Sequence, residues 1–238
     1  MTEKSIPTLD ARLSLAASFV KGECVADIGT DHAYLPIYLI LAGKCQRAIA
    51  ADINEGPLER ARINCARYGI EENVTFCLAD GLNGLPLSEK GVTDIVICGM
   101  GGELIAGIIG ASDYVKRESV RLILQPMSHP ERLRLYLAEN GFATDGGGMV
   151  KAQDKLYQCI VCHYDGQKRA LSSAALELGE ENITSPSPVF REALDNLIQK
   201  TERAVEGRLQ GGLDCARQNS LLSELYSIRE RILDNENN

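Results

Sequence analysis

The segment Val25-Ala-Asp-Ile-Gly-Thr-Asp-His-Ala-Tyr-Leu-Pro36 gathers acids, a histidine and a glycine behind a short apolar run. A glycine just past a strand lets a ligand approach the backbone, so Gly29 marks a ligand-facing turn. A dinucleotide fingerprint would continue as G-x-G-x-x-G, its glycines admitting a pyrophosphate to a helix N-terminus. Here the two later glycine positions hold Asp31 and Tyr34. A carboxylate repels phosphate but attracts an ammonium or sulfonium group. The loop therefore suits S-adenosylmethionine better than NAD, with Asp27 as a second acid placed to hold the methionine moiety.

Asp52 ends the next apolar run, 23 residues after Gly29, where an acid can accept hydrogen bonds from both ribose hydroxyls. Asp80-Gly81 closes a third run and faces an adenine amino group or forms a simple turn. A fourth run leads into Gly99-Met100-Gly101-Gly102. Many amino-methylating enzymes carry an Asn/Asp-Pro-Pro-aromatic tetrapeptide there, whose oxygens accept hydrogens from the target amine. A glycine turn offers only backbone, which favours a ring nitrogen with a free in-plane lone pair. Methylating such a nitrogen leaves a cationic ring, so a nearby carboxylate helps; Asp31 and Glu103 are the candidates. His32 is placed to hydrogen-bond the base or to cap a helix, and Tyr34 to stack on the base or to pack beneath the helix. Arg12, Lys4 and Arg132 are candidate phosphate contacts, while His129, ahead of a proline, reads as a helix start.

The elements that must carry these residues follow from hydrophobic spacing. Leu13, Ala16, Ala17 and Val20 make one face of an opening helix. Strands are expected at 24–28, 47–52, 73–78, 94–98 and 120–125, and helices at 33–42, up to Tyr68, near 102–109 and 130–140. Pro57 fits a first helical turn and Gly69 a stop. Near-continuous apolar strands alternating with helices give a doubly wound parallel sheet. Two last strands, around 142–150 and 156–164, lack an intervening helix and form an antiparallel hairpin at the sheet edge. The fold class is thus α/β, Rossmann-like over residues 1–165. Residues 166–238 read as a polar stretch with Pro186 and Pro188, then a coiled-coil-like helical hairpin turning at Gly211-Gly212. Its stripes are Phe190, Leu194, Leu197, Thr201 and Leu221, Leu225, Ile228, Ile232. It is either a packed accessory or dimer contact or an RNA-positioning arm. Asp234–Asn238 are expected to fray.

Composition sets limits on these readings. There is no run of about 18 apolar residues for a membrane span and no apolar signal region after Met1. Five of the 8 cysteines, Cys24, Cys77, Cys98, Cys159 and Cys162, lie inside strand-like runs, which fits reduced thiols and a cytoplasmic protein. Cys159-Ile-Val-Cys162-His163 matches a haem-attachment pattern, but strand alternation points the two thiols to opposite faces. A net charge of −8 counts against a nucleic-acid partner. Residues 166–238 carry 9 basic against 12 acidic side chains and the rest 16 against 21, so neither part is basic.

Taken together, Arg12-Leu13, ADIGTDHAYLP, DINEGPL from Asp52, DGL from Asp80, GMGG from Gly99 and LQP from Leu124 resemble the TrmK family. Its members are bacterial tRNA methyltransferases acting on N1 of adenine 22, and the resemblance covers about residues 9–164. It implies S-adenosylmethionine held by Asp27, Gly29, Asp52, Ile53, Asp80, Gly81, Gly99, Met100 and Gly101. It implies a tRNA adenine met by Arg12, Tyr34, Gly102, Glu103, Gln125 and Pro126, with Asp31 and His32 at the reacting centre, and a monomer or weak homodimer. Met127 departs from the pattern, which has Asn after LQP. Rival readings are a same-fold enzyme for a protein or small molecule, and a non-catalytic cofactor- or RNA-binding protein.

Overall fold

The computed structural model describes residues 6–236, so Lys4 and the last two residues lie outside the described chain. A seven-stranded sheet runs in the order β3-β2-β1-β4-β5-β7-β6. The parallel strands are β1 (Cys24–Ile28), β2 (Arg47–Asp52), β3 (Val74–Leu78), β4 (Asp94–Gly101) and β5 (Arg121–Ser128). β6 (Phe142–Ala152) and β7 (Lys155–Tyr164) form the antiparallel edge. The strand order reverses between β1 and β4, and ligands of doubly wound sheets bind at the carboxyl ends of strands at such a switch.

Alternate residues of each strand feed opposite faces. Ala26, Ile28, Ile95, Ile97, Leu122 and Leu124 pack under α5 (Gly102–Gly110) and α6 (Pro130–Glu139). Val25, Val96 and Ile123 pack under α1 (Ala11–Phe19) and α2 (Tyr34–Leu41), while Ala48 and Ala50 meet α3 (Glu55–Tyr68). Each fully buried Leu or Ile contributes about 1.5–3 kcal/mol by leaving water. The same alternation sends Cys162 to one face and Cys159 to the other, so the two cannot share a ligand. All eight cysteines are free thiols, and burial pushes Cys159 up to about 12.

A buried acid fastens the amino edge of the sheet. Asp94, the first residue of β4, accepts from Lys21 N at 2.7 Å and Gly22 N at 2.8 Å. It also takes two prongs of Arg121, Nε at 3.0 Å and Nη2 at 2.8 Å, and Arg121 Nη2 further donates to Phe19 O at 3.1 Å. One carboxylate thus joins the end of α1, the start of β4 and the start of β5.

The polar stretch after Gly166 holds structure that its composition did not announce. After α4 (Leu87–Lys90), short and earlier in the chain, come α7 (Ser173–Leu178) and α8 (Glu180–Thr184). Arg134 of α6 pairs with Glu181 of α8 at 2.7 Å, both buried, beneath Gly179 at φ +85°. A Cβ at Gly179 would lie 2.5 Å from Arg134 Nη2, so only glycine fits there. The hairpin follows as α9 (Phe190–Gln210) and α10 (Ala216–Glu236), turning at Gly211-Gly212. Phe190, Leu194, Ile198, Leu225 and Ile228 form its core together with Met149 of β6. α10 extends through Glu236, into the stretch from Asp234 that was expected to fray, and the last two residues lie outside the described chain.

Candidate functional site

A cavity of about 380 Å³ opens over the carboxyl ends of β1 and β4. Among its walls are Arg12, Asp27, Gly29, Asp31, His32, Tyr34 and Gly99, all expected from sequence, together with Leu13, Thr30 and Cys98. Gly29 turns at φ +80°, and a Cβ there would fall 2.3 Å from Met100 Cε. The glycine therefore serves two needs at once, a left-handed turn and the close approach of the loop after β4.

Asp27 is 7 % exposed and makes no ion pair among the described residues. Burial, with the Asp52 carboxylate pushing the same way, raises its pKa to about 6. The Thr30 hydroxyl opposes that rise, yet Thr30 Oγ1 is buried and forms no hydrogen bond of normal geometry. A buried acid without a countercharge and an orphan hydroxyl, both beside an open glycine turn, fit a ligand that brings its own cation and donors. The cationic amino acid end of S-adenosylmethionine has that chemistry.

Asp52 lies at the neighbouring strand end, where its Oδ1 accepts from Asn54 N at 2.8 Å. Ile53 next to it and Leu78 across the β2–β3 register are both 61 % exposed, giving the flank of the site an apolar lip. Asp80 is exposed beside Gly81, whose φ of +59° brings its backbone against Ile108.

Several sequence readings need correction. Asp31 does not stand free to meet a cation: its Oδ1 takes Arg60 Nη2 at 2.6 Å and its Oδ2 lies 3.4 Å from His32 Nε2. Glu103 likewise pairs with Arg132 at 2.8 Å. His32 does not cap α2, whose cap position is Ala33 in a left-handed conformation, φ 54°; instead its ring stacks on Tyr34 at 5.4 Å and 25°. His129 does precede its helix, at φ 53° before Pro130.

β4 does not end at Cys98 nor β5 at Gln125; both strands continue through two irregularities to Gly101 and Ser128. That lengthening buries Gln125 and Pro126, which were expected on the substrate. Gln125 Oε1 accepts from Gly99 N at 3.3 Å and its Nε2 donates to Pro126 O at 2.9 Å. The side chain thus satisfies the backbone freed by the bulge and positions Gly99. Gly102 fits for a related reason, since a Cβ there would meet His129 O at 2.3 Å. Gly102→Ala should therefore cost about 1–3 kcal/mol of stability by overpacking. Thermal unfolding of the purified variant checks this, and a midpoint equal to the parent's would show that the rim yields.

Residues missed from sequence have readable causes. Thr30 was inside the motif but reads as a turn residue, and Cys98 reads as core although it also lines the cavity. Arg60 and Tyr157 carry no signal, because only the fold brings them to Asp31 and Arg12.

Comparison with known proteins places this chain among methyltransferases. The family described as "Methyltransferase domain" matches residues 9–160. The tRNA (adenine(22)-N(1))-methyltransferase of Bacillus subtilis (strain 168) is 31% identical over 228 residues, 93% of this chain and 94% of that protein. A candidate tRNA (m1A22) methyltransferase of Streptococcus pneumoniae, solved in complex with S-adenosyl-L-methionine, superposes with a TM-score of 0.79 at 32% identity. The match covers 93% of this chain and 99% of the other. The crystal structure of the B. subtilis m1A22 tRNA methyltransferase TrmK gives 0.76 at 28% identity, with 94% and 98% covered.

Proposed function

Since the chain belongs to the family of tRNA (adenine-22-N1) methyltransferases, we propose that it transfers the methyl group of S-adenosylmethionine to N1 of an adenine in tRNA, at position 22. The observation that carries the cofactor in this reading is the uncompensated Asp27 carboxyl on a cavity at the switch point of the sheet, and the tRNA target follows the 31% identity to the B. subtilis enzyme.

When bound, the cofactor supplies an electrophilic methyl carried on a sulfonium. Asp27 would receive its ammonium, Asp52 the ribose hydroxyls and Asp80 the adenine amino group, with Ile53 and Gly81 as neighbouring contacts. The backbone of Gly29 and of Gly99, Met100 and Gly101 would hold the methionine and sulfonium end. The stacked His32 and Tyr34 rings offer the target base a planar surface, and Gly102 and Glu103 lie in the first turn of α5. To reach it the adenine must leave its stack. N1 already has an in-plane lone pair, so alignment of that nitrogen supplies most of the acceleration and no strong base is needed. The ring becomes cationic as the bond forms, and Asp31 on the cavity wall would offset that charge once Arg60 releases it, as Glu103 would if Arg132 did the same. Gln125 and Pro126 act from beneath, by holding Gly99 in place.

The cytoplasm and a monomer or weak homodimer belong to the same reading; among the described residues no helix is long and apolar enough to cross a membrane. Labelled S-adenosylmethionine and unmodified tRNA transcripts test the activity, with reverse-transcription arrest locating the product. A stop at adenine 22 is expected, with Asp31→Ala lowering kcat while cofactor affinity persists. Cofactor binding without label on any tRNA would remove the assignment and turn attention to proteins or metabolites.

A further inference from the structure

Arg12 reaches the cavity wall from the first turn of α1, and three groups hold it. Its guanidinium lies 5.3 Å from the Tyr157 ring centroid, and Nη1 donates to Met127 Sδ at 3.1 Å. Both contacts are neutral, so they fix its position without spending its charge. The charge is met by Asp10 alone among the described residues, at 2.6 Å from Nη2. That carboxylate is 44% exposed, and its other oxygen, Oδ1, caps α1 by accepting from Leu13 N at 2.9 Å.

We infer that Arg12 is the oxyanion receiver of the site, and that Asp10 is an exchangeable counterion which the incoming anion displaces. An exposed ion pair is weak, whereas a bidentate arginine–oxyanion contact is strong, so exchange is favourable. Met127 and Tyr157 act as positioning residues, keeping the guanidinium aimed at the cavity after Asp10 lets go. With Asp27 on the same cavity, the wall presents one cation and one anion, the complement of an amino acid zwitterion. Two ligands can bring the oxyanion, the cofactor through its methionine carboxylate or tRNA through a phosphate. Their identity rests on the methyl-transfer reading above.

Asp10→Asn tests the exchange, because asparagine caps a helix as well as aspartate while removing the charge. S-adenosylmethionine is titrated by calorimetry, and an unmodified tRNA transcript by anisotropy across salt concentrations. Removing the competitor is expected to tighten one ligand about twofold to fivefold, and Arg12→Gln to weaken that same ligand. A gain for S-adenosylmethionine identifies the carboxylate. A gain for tRNA, with a salt slope steeper by about one, identifies the phosphate. Unchanged or weaker binding of both ligands by Asp10→Asn overturns the inference. A parent protein that binds cofactor but methylates no tRNA defeats the proposed function instead, and leaves the cofactor titration as a valid test of Asp10.

Discussion

Asp27→Asn should weaken S-adenosylmethionine binding at neutral pH by tenfold or more and, at the same time, stabilise the ligand-free protein. Both effects come from one buried charge. The folded-state pKa is about 6 against an ordinary 3.8, with burial as the main cause. At about 1.36 kcal/mol per unit, that gap corresponds to about 3 kcal/mol. The folded state holds the proton more tightly than the unfolded chain, so this acid costs nothing below pH 3.8. Stability then falls as pH rises through about 6 and stays lower above it. The asparagine variant lacks that loss and should gain about 1–3 kcal/mol at pH 7.5, with the gain vanishing toward pH 4. Cofactor affinity of the parent should run the other way, rising as Asp27 ionises through about pH 6. Calorimetry and thermal melts at several pH values test the pair of trends. Equal affinity in parent and variant at pH 7.5 would show that the ammonium is held elsewhere.

Asp94→Ala should have the largest effect on folding, a loss of about 3–5 kcal/mol. Its carboxylate is 1% exposed, and removing it strands two backbone N–H groups and a guanidinium that also reaches Phe19 O. A buried charge without a partner is costlier than the pair was worth. Asp94→Asn should lose less, since an amide oxygen can still accept from Lys21 N or Gly22 N. Denaturant unfolding of both variants gives the ranking, and a loss below about 1 kcal/mol for alanine would mean that water enters to replace the acid.

The strands were legible in the sequence because their burial is two-sided. Cys24–Ile28 and Arg47–Asp52 coincide with the expected runs to the residue. Gly69 and Gly211-Gly212 were legible as well, since positive φ or a tight turn leaves few alternatives to glycine. The stripe of the hairpin held at Phe190, Leu194, Leu225 and Ile228, with Leu197, Leu221 and Ile232 partly buried against them and Ile198 joining the core. What failed was long-range or locally ambiguous. The polar composition around 172–184 hid α7 and α8, whose short helices are stabilised by partners such as Glu224, accepting from Ala174 N at 2.7 Å. The glycines after Cys98 suggested a turn, yet the strand resumes because the Gln125 side chain fills the gap in the ladder. Asp31 and Arg60 are 29 positions apart, and no local pattern foretells that they meet.

Arg134 and Glu181 sit 47 positions apart, each with its charge enclosed by the other, under a glycine that admits nothing larger. A change at either one alone passes through a chain carrying an unmatched charge in its interior. Substitution histories at the two sites should therefore be locked together: in a set of sequences descended from a common ancestor, the arginine and the glutamate should persist as a pair or vanish as a pair.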